Sequence, residues 1–170
     1  EDKTDPRGFV CKRIDFDNFL VDELKRRPEI RLFEGVSIDK YELQADGYLL
    51  SSKDGSFQVK ADIVIAANGA HAAGTKEGAG SKWELEHYVA GIRAYYKGIS
   101  GLHEDNFIEL HFLKNMLPGY LWIFPLPNGE ANVGVGMLSN TARNKKVNLK
   151  QLMLNTIATD PVMKERFKNA

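Results

Sequence analysis

The apolar positions change period several times along the chain. Phe16, Phe19, Leu20 and Leu24 recur at helical spacing, which predicts a helix with one stripe facing a core. Asp15 reads as its N-cap and Asp17 as an acid in the first turn; Lys25, Arg26 and Arg27 suit its C-terminal end, and Pro28 stops it. A short strand is expected just before it, over residues 9–14. From residue 30 to 67 the pattern becomes short strands and turns. Asp46-Gly47 and Asp54-Gly55 are hairpin signals of the type I′ kind, which needs positive φ at both central positions. Residues 62–67, Asp-Ile-Val-Ile-Ala-Ala, are mostly apolar on both faces, as in a central strand covered on both sides. The run opens into Asn68-Gly69-Ala70-His71, a small-residue turn of the sort that often meets a ligand.

Residues 72–87 are rich in Gly, Ala, Lys and Glu without a period and read as a mobile connector between two halves, 1–72 and 88–170. Four strand-like runs follow, at 88–99, 107–113, 120–126 and 131–138. Pro127-Asn128-Gly129-Glu130 joins the last two as a hairpin turn. Two amphipathic helices, near 149–158 and 161–168, close the chain. Strands, a helix and hairpins followed by an antiparallel meander with helices give an α+β class.

Composition narrows the functional classes. The chain has 170 residues, 43% hydrophobic and 27% charged, so a packed core is expected rather than disorder. Lys+Arg and Asp+Glu are both 23, which argues against nucleic-acid binding by phosphate neutralisation. Cys11 is the single cysteine; no intrachain disulfide can form, and a lone thiol fits a reducing, cytoplasmic setting. No apolar run approaches the ~20 residues of a membrane-spanning helix. The polar start lacks Met, so the chain reads as cut from something longer.

Candidate chemistry is sparse. Residues 74–82 do not end in the Gly-Lys-Ser/Thr of a phosphate loop, and Gly134-Val-Gly136 has no third glycine at the dinucleotide spacing. The four histidines lack metal-ligand spacing. The run from Tyr120 to Pro125 is more informative: alternation sends Tyr120, Trp122 and Phe124 to one face and Leu121, Ile123 and Pro125 to the other. With a turn of two or four residues, Asn132, Gly134 and Gly136 would join the second face as a bare backbone groove opposite an aromatic platform. Such a groove suits a long apolar pocket with a flat group laid near the glycines; an aromatic core strand beside a flexible neighbour fits the same residues.

Tyr120-x-Trp122-x-Phe124-Pro125, then Gly129 and Asn132-Val133-Gly134-Val135-Gly136, resembles the Tyr-x-Trp-x-Phe-Pro and Asn-Val-Gly-x-Gly pair of the geranylgeranyl reductase family. That family belongs to the FAD-dependent oxidoreductases that share the p-hydroxybenzoate hydroxylase fold. Arg13-Ile-Asp-Phe16-Asp17-x-x-Leu20 is similar to the family's Arg-x-x-Phe-Asp-x-x-Leu, and residues 62–71 to its strand ending in Gly-Ala-Asp-Gly-Ala-x-Ser. Asn68 replaces the usual Asp and Ala72 the usual Ser. The family's Gly-x-Gly-x-x-Gly and its later Gly-Asp segment do not occur in this sequence.

The resemblance implies a middle fragment of a flavoenzyme, inactive alone, whose parent saturates double bonds of an isoprenoid or other apolar substrate. It implies FAD contacts from Arg13, Asn68 and Gly69, substrate contacts from Tyr120, Trp122, Phe124, Pro125, Gly134 and Gly136, and NAD(P)H as reductant. Tyr120 is also a candidate proton donor. A peripheral membrane contact of the parent stays open, as do a monooxygenase or halogenase activity and a noncatalytic module binding a hydrophobic ligand or a protein.

Overall fold

The computed structural model describes residues 8, 10–69 and 87–170. Phe9, the turn residues Ala70, His71 and Ala72, the phosphate-loop-like stretch at 74–82 and the predicted connector up to residue 86 lie outside the described residues. The chain divides into two compact units: Leu20–Trp83, and Glu1–Phe19 with Glu84–Ala170. Antiparallel strands and short helices make up the chain, a mixed α+β architecture.

Helix α1 (Arg13–Lys25) begins earlier than the sequence suggests. The Phe16 N–H donates to the Lys12 carbonyl at 3.1 Å, and Arg13 grips Asp17 one turn on, Nε–Oδ1 3.1 Å and Nη2–Oδ2 3.0 Å. Arg13 and Ile14 are therefore helical, residues 10–12 form no strand, and Asp15 lies inside the first turn instead of capping it. The predicted stripe of Phe16, Phe19, Leu20 and Leu24 has helical spacing but is exposed. Periodicity reports which residues share a face, not whether anything covers it.

In the Leu20–Trp83 unit, β1 (Lys40–Gln44), β2 (Gly47–Ser51) and β3 (Gln58–Ala61) form a three-stranded antiparallel meander. Gln44 pairs with Gly47 around the two-residue turn Ala45-Asp46. Gly47 alone carries the positive φ, +134°, so the turn is not of the expected type I′. Any Cβ on Gly47 would stand 2.6 Å from the Ala61 carbonyl. The second connection is a six-residue loop, since Ser51 pairs with Gln58. Asp54 organises that loop, accepting from Ser52 Oγ at 2.6 Å, Ser56 Oγ at 2.8 Å and the Ser56 N–H at 3.1 Å. These donors hold its carboxyl down at about 2. The strand expected at 62–67 is absent. β3 ends at Ala61 and its one partner is β2, so the following backbone has no ladder to join. Ile63 and Ile65 are 80% and 86% exposed.

The other unit holds β4 (Val89–Lys97), β5 (Glu109–His111), β6 (Tyr120–Leu126) and β7 (Glu130–Leu138), in the antiparallel order β4-β7-β6-β5. All four coincide with strand-like runs in the sequence. Three helices follow: α2 (Ser139–Asn144), which the sequence did not signal, α3 (Leu149–Thr159) and α4 (Pro161–Arg166). Asn148 caps α3 by accepting the Gln151 N–H at 3.0 Å. Asp160 caps α4, accepting Val162 and Met163 N–H groups, with Pro161 in the first turn.

One face of this sheet is covered. Leu121, Ile123, Val133 and Val135 are at most 1% exposed and cluster with Met153, Met163 and Phe167 from the helical region. Burying each such side chain is worth roughly 1.5–3 kcal/mol, so this face holds the unit together. Arg166 closes its edge. It donates to Glu109 through Nη1 at 2.5 Å and Nη2 at 2.8 Å, and to the carbonyls of Ser100 and Gly101. His111 adds a 2.9 Å contact to the same carboxylate. Partial burial alone would raise the Glu109 pKa, yet Arg166 and His111 together bring it below the ordinary carboxylate value. A depressed pKa contributes stability above the unfolded value that is lost as pH falls through the folded one. Acidification below about pH 4 is expected to weaken this unit, and Arg166→Met to lower stability at pH 7 while flattening that acid dependence. Thermal denaturation across pH 3–7 checks this; parallel pH profiles for both proteins would refute it.

Candidate functional site

The opposite face of the same sheet is the candidate site, and turn length decides what stands on it. β6 and β7 are joined by three residues, Pro127-Asn128-Gly129, with Asn128 and Gly129 at φ +62° and +70°. Leu126 therefore pairs with Glu130, Phe124 with Asn132, Trp122 with Gly134 and Tyr120 with Gly136. The expectation of a two- or four-residue turn is corrected. The glycines share the aromatic face, and no bare groove lies on the other side, where Leu121, Ile123 and Pro125 are buried.

Gly134 and Gly136 are the floor on which the Trp122 indole lies. A Cβ on Gly134 would collide with Trp122 Cζ2 and the Ile92 carbonyl; one on Gly136 would stand 3.4 Å from Trp122 Cζ3. Gly91 of β4, in register with Gly136, extends the floor, since its Cβ would lie 3.7 Å from Trp122 Cη2. At Gly134 only glycine leaves the ring room to come this close, whereas at Gly136 and Gly91 a Cβ would make ordinary van der Waals contact with it. The indole N–H donates to Asn132 Oδ1 at 3.0 Å, which satisfies its one donor and fixes the ring's orientation. A ladder of rings continues along the strand: Phe112–Tyr120 5.7 Å, Tyr120–Trp122 6.1 Å and Trp122–Phe124 6.1 Å between centroids. Leu110 of β5 is in register with Trp122 and exposed.

The face is apolar at β5 and β6 and charged at β4. Arg93 and Tyr95 project from β4 opposite Gly134 and Asn132, and Arg93 Nη1 donates to the Tyr95 hydroxyl at 2.6 Å. Lys12 forms an ion pair with Glu130, which holds that carboxyl below its usual range, and its ammonium lies 5.8 Å from the Tyr95 ring centre. Sequence reasoning missed Gly91, Arg93, Tyr95, Leu110 and Phe112. Alternation along residues 89–97 could have found the first three, but without the turn length nothing tied them to the aromatic strand.

The residues chosen from sequence are thus partly assembled. Tyr120, Trp122, Phe124, Gly134 and Gly136 meet on one open face, while Pro125 is on the covered one. Arg13 falls in the sheet-and-helix unit with its guanidinium spent on Asp17; Asn68 and Gly69 fall in the other unit. Gly69 has φ +86° and open space where a Cβ would be. An FAD pyrophosphate needs converging backbone N–H groups at a glycine-rich turn before a helix, and no such turn occurs among the described residues. They do not by themselves fit the cofactor.

Residues 88–168 match the geranylgeranyl reductase catalytic domain. The chain is 31% identical over 136 residues to the digeranylgeranylglycerophospholipid reductase 1 of Methanopyrus kandleri, covering 76% of this chain and 35% of that protein. It is 28% identical over 138 residues to the protein of that name from Methanosphaera stadtmanae, covering 79% and 34%. Over 80 residues it is 38% identical to the menaquinone reductase of Mycobacterium tuberculosis, covering 44% and 19%. The chain thus spans about a third or less of the length of these relatives.

Gly134→Ala is expected to destabilise the sheet by ~1–3 kcal/mol, because the new methyl displaces the indole. Gly136→Ala, with its looser contact, should cost clearly less. Denaturation followed by tryptophan fluorescence tests the order, and equal losses would mean Trp122 is not seated on Gly134.

Proposed function

We propose that this geranylgeranyl-reductase-like chain supplies the substrate-facing sheet of an FAD-dependent oxidoreductase that reduces carbon–carbon double bonds of an isoprenoid. The observation that carries the reading is the open aromatic ladder, Phe112 to Phe124, standing on a rigid sheet whose other face is fully packed. An isoprenoid chain laid over the rings gains ~0.8 kcal/mol per CH₂ removed from water. Trp122, held by Asn132 and by the glycine floor, is ordered before substrate arrives, so little entropy is lost on binding. Tyr120, Trp122 and Phe124 bind and orient the chain and exclude water beside it. Tyr120 also presents a hydroxyl on this face that could deliver a proton to the reduced chain.

FAD held by other parts of the complete protein, with NAD(P)H as its reductant, would supply the electrons. The described residues hold no cradle for the flavin, so their part is confined to the substrate, and this chain alone is inactive. On this reading the protein works in the cytoplasm, a reducing setting that a lone thiol such as Cys11 fits. Among the described residues no helix is long and apolar enough to cross a membrane.

The test uses the complete natural protein that carries this chain. Trp122→Ala should lower turnover of a geranylgeranyl substrate by at least tenfold and leave bound flavin, read from visible absorbance, nearly unchanged. Trp122→Phe should recover part of the loss. Equal loss of flavin and turnover would make Trp122 a core residue only. A wild-type protein with neither flavin nor turnover would overturn the proposal.

A further inference from the structure

Arg93 stands at the charged end of the open face with almost nothing to neutralise it. Its partner among the described residues is the Tyr95 side chain, through the 2.6 Å hydrogen bond and a guanidinium-to-ring distance of 5.3 Å. A phenol is a neutral acceptor and uses one of five guanidinium donors. Lys97, two residues beyond Tyr95 on the same exposed face, is in register with Glu130, but that carboxylate is already paired with Lys12. Asp15 also acts on Lys12, so Lys12, Arg93 and Lys97 share this corner with two acids, Glu130 and Asp15, and positive charge remains in excess by one.

That corner adjoins the apolar ladder. Arg93, Gly134, Trp122 and Leu110 are consecutive register partners across four strands, a row of roughly 14 Å at the usual strand spacing. One end is a cation tied to the Tyr95 hydroxyl and lying 5.3 Å from that ring's centre, and the other is hydrocarbon. A guanidinium fixed in this way suits bidentate binding of a phosphate. Resting on the isoprenoid reading above, we propose that Arg93 is a specificity residue that takes the phosphate group of an anionic isoprenoid, whose chain then runs across the sheet over Trp122 toward Leu110. The phosphate is either the diphosphate of a free isoprenoid or the phosphodiester of an ether lipid headgroup.

Binding of three probes to the complete protein separates these cases: geranylgeranyl diphosphate, a digeranylgeranylglycerophospholipid, and uncharged geranylgeraniol. Wild type should prefer an anionic probe, and whichever of the two binds tighter identifies the source of the phosphate. Arg93→Met should reduce the preference for that probe over geranylgeraniol by roughly 10- to 100-fold, with Arg93→Lys recovering part of it. Arg93 is exposed and pairs with no carboxylate among the described residues, so Arg93→Met should keep the circular dichroism spectrum and Tm of wild type. Equal weakening of charged and uncharged probes, or none, would overturn the role of Arg93 and leave the isoprenoid reading standing. Failure of wild type to bind any of the three would overturn both.

Discussion

Between β6 and β7 the chain turns in three residues, with Asn128 and Gly129 both at positive φ. Because side chains alternate with period two, adding or removing one residue here would move every β7 side chain to the opposite face relative to β6. Three residues bring Gly134 and Gly136 beneath Trp122, and they bring Val133 and Val135 beside Leu121 and Ile123. The packed core and the aromatic floor are two results of the same register. The sheet can thus devote one face to its own stability and leave the other open.

The two faces are held by different forces. On the covered side, the burial of aliphatic and methionine side chains dominates, with the Arg166–Glu109 ion pair closing the edge. On the open side, glycines take the place of side chains, and a single indole fills the space they leave. Its N–H is satisfied by Asn132, so the ring is fixed without being buried. A bulky aromatic surface already held in place is what an apolar substrate needs, since the cost of ordering the site has been met in folding.

The sequence was most readable where local chemistry acts alone. All four strands of the second unit follow from alternation and helices α3 and α4 from their amphipathic spacing, while the caps at Asn148 and Asp160 emerge from the structure. It misled where the outcome depends on a partner. Residues 62–67 have strand composition but no neighbouring strand to pair with, and the α1 stripe has helical spacing but no cover. At the candidate site the aromatic residues were evident from Tyr120 to Phe124, but their relation to the glycines was not, because Asn-Gly fits turns of more than one length. Arg93 was invisible for a related reason: an arginine in an alternating strand gains meaning only from what stands opposite.

The central claim is that an isoprenoid lies on the face bearing Trp122, not on the face bearing Ile123. Photo-crosslinking tests it most directly, using a geranylgeranyl chain that carries a diazirine, with the labelled residues of the complete protein identified by mass spectrometry. The account predicts labels within this chain on Leu110, Phe112, Tyr120, Trp122 and Phe124. Labels confined to the β1–β3 meander, or no competition by unmodified geranylgeranyl substrate, would contradict it.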